Sequence, residues 1–196
     1  SSAASDVYKR QGLHAVKLSD AGMSMIQRWQ IPCVYDVKIR DGLLFCAEGA
    51  GGLGIYKIEG LSALRRISHM NIPVQKIWLP DEGHFIATSD RGTQLNFIDI
   101  GDLENPQLAL THRQKSLLYG DLLSNGSCGG YMLANWHSGG FAWYKIDGEK
   151  VEVGNRQVER LGAHTDGVAV FQGKMLYFWK NQYTLLSPNA PGPIND

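Results

Sequence analysis

The 196-residue sequence predicts an all-β fold, a β-propeller of four-stranded antiparallel blades, with about four to five blades present. Three observations carry that expectation. A short apolar run with one charged residue next to last recurs as Leu13–Leu18, Leu53–Ile58, Leu95–Ile100 and Phe141–Ile146. Its marker residues Lys17, Lys57, Asp99 and Lys145 stand 40, 42 and 46 positions apart, the length of one blade. Finally, turn pairs with glycine recur at one place in the repeat, where tight hairpins need positive φ angles.

The elements follow in a constant order. Val34–Ile39, Val74–Leu79, Leu118–Leu123 and Asp166–Phe171 alternate as half-buried strands do. Turns are expected next, at Arg40-Asp41-Gly42, Pro80–Gly83, Ser124-Asn125-Gly126 and Gln172-Gly173-Lys174. Second strands follow at Leu43–Ala47, Phe85–Thr88, Tyr131–Asn135 and Met175–Trp179, and then the marker strand. A less regular fourth strand leads out, as in Leu64–Ile67, Gln107–Thr111 and Glu152–Glu159. Helical periodicity does not extend beyond a single turn. A β-sandwich also has many short strands, but it would not repeat one strand order four times.

In this reading residues 12–33 supply the last two strands of a blade. Residues 34–73, 74–117 and 118–163 form complete blades, and 164–196 supply the first three strands of another. A third strand then stands at both ends, as Leu13–Leu18 and Tyr183–Leu186, so the ends overlap rather than complement each other. The expectation is an incomplete ring, a partial propeller domain over 12–196. Asp6-Val-Tyr-Lys-Arg-Gln11 resembles the in-frame translation of a transposon-end adapter used in sequencing libraries. Residues 1–11 are therefore set apart as a non-native segment, expected to make no packed contact with the blades.

Composition narrows the function classes. Nineteen basic and nineteen acidic side chains cancel, and the longest basic cluster is Arg65-Arg66, so no nucleic-acid partner is expected. No run of 18 apolar residues exists, so no transmembrane segment is read. Cys33, Cys46 and Cys128 lack metal-type spacing and read as small buried hydrophobes. The six histidines fall at different repeat positions without His-x-His or His-Glu-x-x-His, so neither a metal nor a cofactor is implied.

The segment Ala47-Glu-Gly-Ala-Gly-Gly-Leu-Gly-Ile-Tyr-Lys-Ile58 is similar to the signature of LVIVD-repeat proteins, a glycine loop leading into a strand of the form Leu-x-Val-x-Asp-Val. Leu95–Ile100 keeps the acidic position as Asp99, whereas Lys17, Lys57 and Lys145 depart from it. Val34–Ile39 resembles the family's first strand. The resemblance spans residues 12–186. It implies a propeller of a bacterial and often extracytoplasmic family, periplasmic or at the cell surface, and carries over no catalytic residue.

Several constellations bear on function. Gly49-Ala-Gly-Gly-Leu-Gly54 matches Gly-x-Gly-x-x-Gly, but a strand follows it where a dinucleotide fingerprint needs a helix. Asp36, Asp121 and Asp166 share one position of the innermost strand, with Lys76 in the fourth copy. Lining a central channel, they would offer oxygen ligands to a cation or a polar ligand. The structural alternative is that each carboxylate accepts backbone hydrogen bonds at a blade junction. Loops between second and third strands hold Glu48, Asp90-Arg91, Trp136-His137 and Lys180-Asn181, on the face where propellers bind partners. Trp136 and His137 are the least repeat-like; Trp136 reads either as a stacking platform for a sugar or peptide or as packing between blades. His164 and Asp166 could form a local pair, but no Gly-x-Ser-x-Gly elbow accompanies them. Asn125-Gly-Ser127 matches a glycosylation acceptor and reads first as a turn.

The leading functional reading is a non-enzymatic binding module for a protein or carbohydrate ligand, with Asp36, Asp121, Asp166, Trp136 and His137 as candidate ligand contacts and no catalytic residues. The rival reading is a propeller enzyme, a hydrolase or lyase acting on a carbohydrate or lactone at the channel mouth.

Overall fold

The computed structural model describes residues 12–31, 33–60, 62–80, 83–90 and 94–113, and beyond these the strands that follow. Side chains are described up to residue 112, apart from Asp90, and for Tyr144, Lys145, Ile146 and Val151. Seventeen strands and no helix make up these residues. A hairpin of β1 (Leu13–Ser19) and β2 (Gly22–Trp29) comes first. Next are β3 (Asp36–Arg40), β4 (Leu43–Ala47), β5 (Leu53–Ile58) and β6 (Leu64–Met70). The third group is β7 (Lys76–Trp78), β8 (Phe85–Asp90), β9 (Gln94–Asp99) and β10 (Gln107–Arg113). The fourth is β11 (Leu122–Cys128), β12 (Tyr131–Trp136), β13 (Gly140–Asp147) and β14 (Lys150–Gln157). The last is β15 (Gly167–Phe171), β16 (Lys174–Trp179) and β17 (Gln182–Leu186).

Each group is one antiparallel sheet whose strands are hydrogen-bonded in chain order, giving sheets of two, four, four, four and three strands. The β3–β4 connection is the one the sequence anticipates. Asp41 and Gly42 both take positive φ, 51° and 72°, as a two-residue primed turn requires. One expected turn is corrected. Asn125 and Gly126 lie inside β11, paired with Ala134 and Leu133, and the pairing closes at Cys128 with Tyr131. In the sequence, Gly129-Gly130 is a second glycine turn signal beside Asn125-Gly126.

Packing explains why strands dominate. In β4, Leu44 and Cys46 face one way, packing with Ile31 and Tyr56 and against Leu13 and Trp29 of the first hairpin. Phe45 and Ala47 face the other way, joining Leu53, Ile55, Ile77, Ile86 and Ile98. Across the third sheet, Trp78, Ala87, Leu95 and Phe97 pack on Tyr144 of the fourth. Middle strands thus bury both faces, which produces near-continuous apolar runs instead of strict alternation.

In four of the five sheets the last pair of strands carries a recurring irregularity. Register shifts occur between Ala15 and Val16, between Ile55 and Tyr56, between Leu108 and Leu110, and between Ala142 and Tyr144. Bulges of this type add local right-handed twist. Their recurrence aligns β1 and β2 with the third and fourth strands of the larger sheets.

Phe97 is fully buried, with its ring 4.8 Å from that of Tyr144, whose hydroxyl lies 2.6 Å from His112 Nδ1. Phe97→Ala is expected to cost about 3–5 kcal/mol through the cavity and the lost ring contact. Urea denaturation would read this as a lower midpoint with an unchanged slope. A loss below about 1 kcal/mol is incompatible with this packing.

Candidate functional site

At one end of the second sheet a carboxylate occupies the place of a missing side chain. Pairing aligns Val37, Cys46, Gly54 and His69 across β3, β4, β5 and β6. Glycine within a strand weakens it unless another group comes close. Here that group is Glu48. A Cβ on Gly54 would collide with Glu48 Oε1 and stand 2.5 Å from Tyr56 Cε2. Glu48 is buried, and its Oε1 accepts a 2.7 Å hydrogen bond from the Tyr56 hydroxyl. Its Oε2 lies 3.8 Å from Nε2 of His69, whose side chain is 28% exposed and forms the approach from solvent.

The loop that carries Glu48 is held by backbone bonds. Glu48 N–H donates to the Gly52 carbonyl at 2.8 Å, and Gly51 N–H to the Glu48 carbonyl at 2.9 Å. Gly49 and Val74 exchange N–H···O bonds of 2.8 and 2.9 Å, fastening the loop to the start of the third sheet. Gly49 has φ +61°, and a Cβ there would meet the Tyr35 ring at 2.5 Å. These glycines serve a loop that must pass close to its neighbours, and a strand rather than a helix follows it, in keeping with the hairpin-loop reading of Gly49–Gly54.

The electrostatics are those of a buried acceptor. Cys46 is buried, and desolvation, reinforced by the Glu48 and Asp36 carboxylates, pushes its thiol from an ordinary 9.0 up to about 12. Burial also raises the Tyr56 phenol, helped by its hydrogen bond to Glu48 and by the carboxylate charge. Both groups therefore hold their protons at neutral pH. A protonated thiol is a poor nucleophile, so Cys46 is unsuited to covalent chemistry.

Asp36 occupies the first position of β3. Its Oδ1 accepts from Val37 N–H and its Oδ2 from Ile77 N–H of the next sheet, each at 2.9 Å. Lys38 Nζ lies 3.6 Å from Oδ1. The carboxylate thus joins β3 to β7, as the junction alternative foresees for this residue. Lys76, in the corresponding position of β7, is exposed. Trp136 ends β12, paired by backbone with Leu122 and Gly140. Its side chain, together with Asp121, His137, His164 and Asp166, lies outside the described residues. Among the described residues no three His, Cys, Asp or Glu side chains converge on a metal position. Among them, too, no helix is long and apolar enough to cross a membrane.

At the opposite end of the third sheet, His84, Asp99, Gly101, Asp102, Asn105 and Gln107 line a hollow of about 310 Å³. Its polar groups are engaged locally. Asp99 accepts from Gly101 N–H at 2.8 Å, Asp102 from Glu104 N–H at 3.0 Å, and Gln107 donates to Asn105. These side chains shape turns, whereas Glu48 keeps Oε2 turned toward a partly exposed imidazole.

Sequence reasoning places Glu48 on the loop face but misses Tyr56 and His69. Gly54 inside an apolar strand is the available signal for Tyr56, two positions along on the same face. His69 cannot be found without the β5–β6 register.

No protein-family model matches the chain, and no curated protein matches it significantly. Solved structures do. The computationally designed Ika8 protein superposes with a TM-score of 0.63 at 7% identity, covering 94% of this chain and 55% of that one. The designed Ika4 protein gives 0.56 at 8% identity, covering 79% and 90%. The N-terminal domain of Nup159, a β-propeller-like domain, gives 0.51 at 14% identity, covering 81% and 42%. A chain in the S. cerevisiae assembly of Dbp5 bound to Nup159, Gle1, IP6 and ADP matches to the same extent. This chain therefore spans about half the length of Ika8 and less of the Nup159 domain. At these identities the likeness is one of fold: the protein is an all-β, propeller-like stack of antiparallel sheets.

Gly54→Ala is expected to destabilise the protein by about 1–3 kcal/mol, because the added methyl must displace Glu48 and Tyr56 together. A neutral result in thermal or urea unfolding would contradict the seat described above. The Cys46 thiol also makes stability pH-dependent. Between about pH 9 and 12 the unfolded chain loses this proton while the native state keeps it. Its contribution is complete below about pH 9 and is lost as pH rises toward 12, and Tyr56 acts with the same sign. Urea midpoints should fall from roughly pH 8 to 11, with a shallower fall in Cys46→Ala. An unchanged slope in that variant would remove Cys46 from the account.

Proposed function

We propose that this chain is a non-enzymatic interaction module, a partial propeller that engages a protein or carbohydrate ligand through the loop face carrying Glu48. The observation that supports this most directly is the buried Glu48 carboxylate, with one oxygen bonded to Tyr56 and the other 3.8 Å from His69. Carboxylates are rarely buried without a full set of partners, and one held behind a partly exposed imidazole is placed to accept a donor from outside. The propeller-like neighbours support an interaction role at this coarse level. In this reading the five sheets are successive blades, the two- and three-stranded ones incomplete, and Trp136 and His137 belong to the same face. The LVIVD-like glycine loop then forms one wall of the recognition surface, and an extracytoplasmic setting follows from that resemblance.

The enzyme reading has less support. The carboxyl of Asp36 is occupied by two backbone N–H groups, and the Cys46 thiol is kept protonated. The test pairs a glycan and peptide array with turnover assays on lactones and glycosides. Glu48→Gln keeps the shape and the bond from Tyr56 but removes the charge. It is expected to weaken binding of the array ligand roughly tenfold or more, the scale of a hydrogen bond to a charged group. Turnover of a lactone or glycoside that Asp36→Asn abolishes would overturn the proposal.

A further inference from the structure

Glu48 sits in the protein with half of its carboxylate engaged. Its side chain is 9% exposed, and Oε1 accepts the 2.7 Å bond from Tyr56. Oε2 accepts no hydrogen bond among the described residues, since His69 Nε2 stands 3.8 Å away. Oε2 is nonetheless reachable, because among the described residues Thr88 Oγ1 is the one side-chain polar atom both fully enclosed and without a partner. The charge is not neutralised from within either. After burial, the largest influence, the Glu48 carboxylate raises both the Cys46 thiol and the Tyr56 phenol. Arg66 opposes it at Tyr56 and is the weakest influence there. A nearly buried anion in this state is costly until a cation bonds to it.

On the interaction reading of this loop face, which the assignment presupposes, we propose that Glu48 and His69 together bind the side-chain ammonium of a lysine on a partner protein. An ammonium nitrogen about 2.8 Å from both Glu48 Oε2 and His69 Nε2 fits the 3.8 Å between them, with one hydrogen directed at each acceptor. Nε2 accepts in the tautomer that carries its hydrogen on Nδ1. A Cβ on Gly52 would stand 3.2 Å from Nε2, so the glycine leaves that edge of the imidazole uncovered. Arginine fits less well. Its planar fork pairs best with both oxygens of a carboxylate, and here Tyr56 holds Oε1. An amino sugar carries its ammonium directly on a ring, too broad to pass the imidazole to a carboxylate this deeply set. Lysine has a slim, flexible stem that reaches such a group and lays its apolar length against neighbouring side chains.

The experiment is NMR on the full chain, following the imidazole Cε1–H signal of His69, which is identified by its loss in His69→Gln. The probe is the tripeptide acetyl-Gly-Lys-Gly-amide. Its comparators are the same peptide acetylated on the lysine Nζ, the arginine counterpart, and glucosamine. The lysine peptide is expected to shift the His69 signal with a dissociation constant on the order of 1 mM. Acetylation removes the ligand's charge while the protein stays wild type, and it is expected to weaken binding at least about tenfold. Glu48→Gln is expected to weaken binding of the lysine peptide by a similar factor of about ten. The arginine peptide and glucosamine are expected to bind at least about threefold more weakly than the lysine peptide. Equal or tighter binding of any comparator would overturn the lysine assignment. If Glu48→Gln weakens that comparator's binding, the interaction reading of the corner survives. A His69 signal that no probe moves would also overturn the assignment, with the broader reading then decided by the glycan and peptide array. Lysine-peptide binding that Glu48→Gln leaves unchanged would overturn both.

Discussion

Two-sided burial of the central strands is the constraint on which this protein rests. A sheet such as β3–β6 carries Leu44 and Cys46 on one face and Phe45 and Ala47 on the other, so it needs apolar cover on both sides. The β3–β6 sheet receives that cover from the first hairpin on one side and from the third sheet on the other. The stabilising unit is the interface between consecutive sheets, and stability accumulates along the chain as in other repeat proteins. Polar contacts sit at the margins of these interfaces. The Asp36 carboxylate bridges β3 and β7, the Gly49–Val74 pair joins a loop to the next sheet, and Ser68 donates to the Leu103 carbonyl at 2.6 Å. These contacts orient adjacent sheets, while the apolar faces provide most of the attraction.

The same constraint decides what is legible in the sequence. Strand order and the two- and three-stranded sheets at either end are readable because the apolar runs and turn pairs repeat at a steady spacing. The marker strand Leu53–Ile58 and the second strand Leu43–Ala47 have the expected bounds. The innermost strands are less legible: β7 shrinks to Lys76–Trp78, since Val74 and Gln75 are drawn into bonds with Gly49 and Ser89. In β11 an Asn-Gly pair mimics a turn because local propensity alone does not register a neighbouring Gly-Gly pair. The site is legible only in part. A glutamate beside a glycine loop is visible in one dimension, but the row of Cys46, Gly54 and His69 exists only once three strands are paired. Asp36 is visible as a repeated acid, and its role depends on which backbone amide lies within reach.

The Glu48 corner also shows how function can be placed in a fold whose repeats are nearly equivalent. Where β5 has Gly54, β9 has Asn96, whose amide oxygen accepts bonds from Gln94 and Thr111. One repeat thus uses this region for a carboxylate brought in from a loop, and the next fills it with an amide network inside the sheet. Thr88, paired with Asn96, leaves its hydroxyl without a protein partner in that same interior. The two repeats diverge at this position, whereas the residues on either side, Leu53 and Ile55 in one and Leu95 and Phe97 in the other, are alike buried and apolar.

The chain-order pairing of the strands has a consequence for how the molecule is made. Every ladder joins strands adjacent in sequence, so no sheet waits for a distant segment before its hydrogen bonds can form. A chain emerging residue by residue completes one sheet about every forty residues and lays it on the one before. Assembly then proceeds directionally, with the newest sheet always at the growing end and the older ones already shielded. Misfolding during synthesis is confined to a single unfinished unit, which limits how much apolar surface is exposed at any moment.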